Sequence, residues 1–121
     1  TYANAGQGPV LHFRRAEGKF QALPPTGLPL GFDPRAGIEA GEPFQLEPGD
    51  LLLLATDGAI ELRNASDEMF GRERLEQLVM ENRSLPAEEL VDLLKEEIRS
   101  FHPNKHPPDD VTILVLECKQ G

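Results

Sequence analysis

Three carboxylates in this 121-residue chain stand where strand-like segments end or begin. Asp57 directly follows the apolar run Leu51–Thr56, and Gly58 after it permits a sharp backbone turn. Asp109 and Asp110 open a β-branched segment that follows the Pro-rich stretch HPNKHPP. If those two segments are neighbours in one sheet, their ends bring Asp57 and Asp109 together. Two carboxylates about 4 Å apart repel by roughly 4 kcal/mol at an effective dielectric near 20. A site that keeps both ionised therefore calls for a cation, and an all-oxygen donor set favours magnesium, manganese or calcium. The same residues are also readable as a hairpin turn and a solvated loop, and spacing alone does not separate the two.

Other groups offer less. His102 and His106 stand four apart, as zinc-binding histidines do on a helix, but Pro103, Pro107 and Pro108 forbid a continuous helix there. They read as loop histidines. The stretch AGQGP has the glycines of a phosphate loop without its Lys-Ser/Thr, so it reads as a hairpin turn. Glu61, four residues after Asp57, would give an acid/base pair of the glycosidase type, though a polar residue near the site is the simpler reading. Arg72 and Arg74 would suit a phosphate, but two arginines at a helix start are weak evidence.

The elements that must position these groups follow from periodicity. Thr1–Ala5 and Val10–Arg14 flank GQGP and predict a hairpin, with Lys19–Leu23 as a third strand. Residues 24–43 carry so many Pro and Gly that they read as loop. Phe44–Glu47 and Leu51–Thr56 predict two more strands around the turn EPGD. The unbroken apolar run Leu51–Ala55 fits a strand covered on both faces. Beyond residue 70 the period changes. Leu75, Leu78 and Val79 mark one amphipathic helix, and Leu90, Leu94, Ile98 and Phe101 a second that begins near Ser84–Pro86. The segment 109–119 predicts a closing strand. The order is β-β-β-β-β-α-α-β, an α+β pattern in a single domain.

Composition limits the rest. The net charge of −9, from 21 acidic and 12 basic residues, argues against nucleic-acid binding, which rests on clustered Lys and Arg. The longest apolar run falls far short of the ~20 residues a membrane helix needs, which argues against membrane insertion. One cysteine, Cys118, excludes an internal disulfide framework and fits a reducing cytoplasm. The opening TYANAG reads as the interior of a strand, which suggests a longer protein cut here.

Taken together, NAGQGP (4–9), GLPLGF (27–32), LEPGDLLLLATDGAIELRN (46–64), FGRERL (70–75) and DDVTILVL (109–116), in that order, resemble the carboxyl-terminal half of the metal-dependent protein phosphatases (PPM, or type 2C). The nearest branch is the bacterial SpoIIE/RsbU group. The resemblance implies an α+β fold in which two antiparallel sheets form a β-sandwich flanked by helices. Residues 1–121 would be the carboxyl-terminal portion of such a domain, its amino-terminal half missing. It implies Asp57 and Asp109 as metal ligands, Gly58 and Asp110 beside them, and two Mn²⁺ or Mg²⁺ ions in the intact domain. The implied activity is hydrolysis of phosphoserine or phosphothreonine on a protein, an anti-sigma-factor antagonist in that branch. Gln7 stands where many relatives have His, and an aspartate that bridges both metals has no counterpart here. These departures motivate an alternative: a non-catalytic regulatory or interaction module. They also leave strand edges that invite pairing into a homodimer.

Overall fold

The computed structural model describes residues 1–8, 10–104 and 106–119. Pro9 of the GQGP stretch and Lys105 of the histidine loop lie outside the described residues.

Four strands form one antiparallel sheet: β1 (Val10–Arg14), β2 (Lys19–Leu23), β3 (Leu51–Ala55) and β4 (Ile113–Glu117), in the spatial order β2-β1-β3-β4. The β1–β2 hairpin closes over Arg15–Gly18, where the amides of Glu17 and Gly18 donate to the Arg14 carbonyl. Gly18 has a φ of 64°, a left-handed conformation that glycine adopts without strain.

Period-2 alternation assigns the sheet two different faces. Leu11, Phe13, Leu51, Leu53 and Ala55 point inward and are all nearly or fully buried. Against them pack α2 (Gly71–Glu81) through Leu75 and Val79, and α3 (Ala87–Phe101) through Leu90, Leu94 and Ile98. A one-turn helix, α1 (Asp57–Ile60), adds Ala59 to the same core. The opposite face carries Leu52 and Leu54, half-buried, paired with Leu116 and Leu114 at 49% and 47% exposure. Leu51–Ala55 is therefore covered fully on one face and only partly on the other. The antiparallel α+β architecture matches the expectation, and the described strands make up one sheet layer with helices on one side.

Two predicted strands are not strands. Thr1–Ala5 contributes only an isolated parallel bridge, Ala5 to Gly27, and so does not pair with β1. Its course is set by Asn4, nearly buried, whose Oδ1 accepts from the Gln7 amide at 2.7 Å and whose carbonyl accepts from the amides of Thr26 and Gly27. Phe44–Glu47 forms no strand. The ring of Phe44 packs on His12 (centroids 5.4 Å apart) and on Tyr2 (5.9 Å), so its apolar character covers a buried histidine and pairs with no strand. Both helices form where periodicity places them, with Pro86 at the α3 N-cap and Pro103 just past its end.

Polar contacts fix the sheet internally and against α3. His12 is fully buried on β1, and its Nε2 lies 2.8 Å from Oδ2 of Asp50. Arg15 donates to Glu117 Oε1 at 2.9 Å, and Glu117 Oε2 accepts from the Ala87 amide at 3.4 Å, which seats a carboxylate at the positive end of α3.

Candidate active site

The ladder between β3 and β4 pairs Ala55 with Ile113, so the residues just past each pair, Thr56–Asp57 and Asp109–Thr112, emerge at one end of the sheet. Thr56 holds them together. Its amide donates to the Thr112 carbonyl at 3.0 Å, its Oγ1 accepts from the Thr112 amide at 3.0 Å, and the same hydroxyl lies 3.3 Å from the Asp110 carbonyl. One side chain thus continues the ladder past the last strand pair. Asp57 is the first residue of α1, where the exposed helix start favours a negative charge.

The approach of the two segments is closer than hydrogen bonds alone require. Gly58 is buried, and a Cβ added there would collide with the Asp110 carbonyl oxygen and come within 2.9 Å of that carbonyl's carbon and 3.4 Å of the Asp109 carbonyl carbon. No residue larger than glycine fits without moving the Asp109–Asp110 backbone. Gly8 is close as well: a Cβ there would lie 2.8 Å from Oδ1 of Asp57, so the carboxylate would have to give way. Gly8 therefore backs directly onto the Asp57 carboxylate.

Asp57, Asp109 and Asp110 are all exposed. The Asp110 amide donates to Asp109 Oδ1 at 2.8 Å, which fixes one oxygen of that exposed carboxylate. Asp110 thus acts at this end of the sheet through its backbone, as a support for Asp109 and a stop for Gly58. Among the described residues, no group of three or more His, Cys, Asp or Glu side chains converges as a metal cluster would. The donors at this end of the sheet, the exposed carboxylates of Asp57 and Asp109 beside backbone carbonyls, are all oxygen and suit a hard divalent cation over zinc or copper. They fit one side of such a site.

The family model described as Stage II sporulation protein E (SpoIIE) matches residues 1–119. The chain belongs to the SpoIIE family. Phosphoserine phosphatase RsbU of Bacillus subtilis is 31% identical over 124 residues, covering 98% of this chain and 35% of RsbU. Protein IcfG of Synechocystis sp. is 30% identical over 116 residues, 96% of this chain and 18% of its own length. The SpoIIE-family chain thus spans about a third or less of these curated relatives. Among solved structures it resembles the SiaA-PP2C domain of Pseudomonas aeruginosa, with a TM-score of 0.68 at 20% identity over 90% of this chain and 42% of that one. It also resembles the Mn-presoaked phosphatase domain of SpoIIE from Bacillus subtilis, with a TM-score of 0.64 at 24% identity over 97% and 49%. These likenesses assign the SpoIIE-family chain a PP2C-type fold.

Other candidate groups in the SpoIIE-family chain are engaged elsewhere. Arg72 pairs with Glu76 at 2.7 Å, and the Arg74 guanidinium stacks 4.5 Å from the Phe101 ring centroid, so neither reaches the carboxylates. Glu61 caps α1 through its backbone amide to the Asp57 carbonyl. His102 Nδ1 lies 2.9 Å from the Arg63 carbonyl, and His106 is exposed. Three contributors escape sequence reading: Asn4, which shapes the turn behind Asp57; Gly8, whose missing side chain makes room for it; and Thr56, which clamps the two segments. The only local signal for Thr56 was its place between the apolar run and Asp57.

Proposed function

We propose that residues 1–121 are the carboxyl-terminal portion of a PPM-type protein phosphatase domain that removes phosphate from serine or threonine of a protein substrate. The observation that carries this reading is the glycine-only approach of Gly58 to Asp109–Asp110, which holds Asp57 and Asp109 at one end of the sheet. Support comes also from family membership and from the printed activity of RsbU, a phosphoserine phosphatase.

In this reading Asp57 and Asp109 hold Mn²⁺ or Mg²⁺. The bound ion supplies a water nucleophile at neutral pH and neutralises charge that develops on the phosphoryl oxygens. The chain's own residues fix where that happens. Thr56 sets the spacing of the two segments, the Asp110 amide orients the Asp109 carboxylate, and Gly8 gives Asp57 its room. Gln7, exposed in the adjoining turn, does not titrate and so moves no proton there. The substrate class is a phosphorylated regulator of the anti-sigma-factor-antagonist kind, in the cytoplasm of a bacterium.

The test is hydrolysis of p-nitrophenyl phosphate and of a phosphoserine protein by the intact protein with manganese. Asp57→Asn and Asp109→Asn each lower the rate by about two to three orders of magnitude, the range for removing one group that stabilises transition-state charge. Full activity in both variants sinks the assignment. The second reading, a non-catalytic module of the same fold, is favoured by the incomplete donor set among the described residues. It predicts no manganese-dependent turnover by the intact protein at all.

A further inference from the structure

One face of α3 departs from the acidic character of the chain. Val91, Lys95, Ile98, Arg99 and His102 fall at i, i+4, i+7, i+8 and i+11, which places them on one stripe along α3 and its end. With Leu62, Val111 and Ile113 they line a groove of about 440 Å³ between α3 and the segment that enters β4. Its floor is apolar. Its ionisable lining is Lys95, Arg99 and His102, with no Asp or Glu among the described residues that line it, in a chain where acids outnumber bases 21 to 12.

Lys95 and Arg99 are exposed, and Arg99's contact with Glu96 at 3.3 Å is a solvent-exposed pair of little energetic consequence. Both cations can exchange solvent for an incoming carboxylate. Thr112 also lines the groove, and its amide is the donor to Thr56 Oγ1, one residue from Asp57. The groove therefore ends at the sheet end that carries the candidate carboxylates.

We propose that this groove docks an acidic amphipathic segment of the protein substrate, with apolar side chains on the Leu62–Ile98–Ile113 floor and carboxylates against Lys95 and Arg99. It rests on the phosphatase reading for the identity of the partner as substrate. The charge pattern selects the partner: an acidic segment is complementary to Lys95, Arg99 and His102, while the chain's net charge of −9 opposes its indiscriminate binding.

The experiment uses the intact protein and a fluorescein-labelled amphipathic peptide of roughly 16 residues, about 24 Å as a helix, built of Leu, Ala and Glu. Anisotropy reads its affinity. The double variant Lys95→Glu/Arg99→Glu weakens binding by about tenfold or more, Lys95→Gln/Arg99→Gln by less, and Lys19→Glu on the distant edge strand leaves it unchanged. Wild-type binding weakens as salt rises. Hydrolysis of p-nitrophenyl phosphate is unchanged in all three. Unaltered peptide affinity in the double reversal overturns the proposal, as does the absence of any binding, which means the rest of the protein fills the groove. Tighter binding of a single-stranded oligonucleotide than of the peptide overturns it in favour of nucleic acid. A concentration-dependent dimer abolished by the double reversal overturns it in favour of a second copy. If peptide binding behaves as expected but wild type hydrolyses nothing with manganese, the phosphatase reading fails and the groove remains a docking site.

Discussion

Two aspartates flank β3, and the chain treats them in opposite ways. Asp50, before the strand, is 4% exposed; it bonds His12 at 2.8 Å and accepts from the Glu47 amide at 3.1 Å. Asp57, just after it, is exposed, and among the described residues its carboxylate has no hydrogen-bond donor. A buried carboxylate must be compensated locally or it unfolds the protein. An exposed one needs no compensation, so the crowding of Gly8, Gly58 and Thr56 around Asp57 is not needed to solvate its charge. The difference separates an aspartate that holds the fold from one that the fold holds out.

That contrast can be broken at several points. The largest effect is expected for Asp57→Asn: manganese-dependent turnover falls by about two to three orders of magnitude, while urea unfolding shifts by no more than about 0.5 kcal/mol. A large loss of stability would erase the distinction. Asp50→Asn gives the mirror image, a loss of about 3 kcal/mol from leaving buried His12 without its anionic partner, with metal-dependent rate per folded molecule nearly intact. Gly58→Ala falls between, costing about 2 kcal/mol of stability by overpacking against Asp110 and lowering turnover as well, because Asp109 must shift.

Acid sharpens the same contrast. Burial opposes charge on Asp50, but the hydrogen bonds from His12 and the Glu47 amide, with the attraction of His12, outweigh it and hold the carboxyl below its ordinary value. A depressed folded pKa contributes stability that is complete above the unfolded value, about 3.9, and is lost as pH falls through the folded value. The stability gap between wild type and Asp50→Asn should therefore close at pH values below about 4. A gap that widens in acid would reverse the assignment. The smallest effect is expected for Glu117→Gln, about 1 kcal/mol, since it weakens a partly exposed ion pair and one contact to the start of α3.

Much of this was legible in the sequence where the signal is local and periodic. The apolar stripe of α3 and the run at β3 announce themselves because burial repeats every turn or every second residue. The adjacency of the segments before Asp57 and after Asp109 was conditional on strand pairing, and the pairing exists. What sequence could not show are contacts between distant residues of ambiguous type. His12 and Asp50 are 38 positions apart, and each alone reads as a surface residue. Phe44 looked like strand because covering a histidine and pairing in a ladder both call for an aromatic. Thr1–Ala5 looked like strand because its β-prone residues lack any mark of the Asn4 turn that bends them toward residues 26–27. The short α1 went unforeseen because one helical turn is too brief to have a period.

The pairing of Ala55 with Ile113 has a further consequence. Thr56 clamps the two segments, but where along them the candidate ligands fall is set by the count of residues along two strands. A slip of one residue between β3 and β4 would carry Asp109 about 3.3 Å along the sheet and turn Leu114 and Leu116 to the opposite face. The hydrophobic core rejects that slip, because it would place Ile113 and Val115 where the half-covered leucines now stand. The distance over which a charge would be shared at one end of the molecule is thus kept by oily residues several ångströms away, which never approach it.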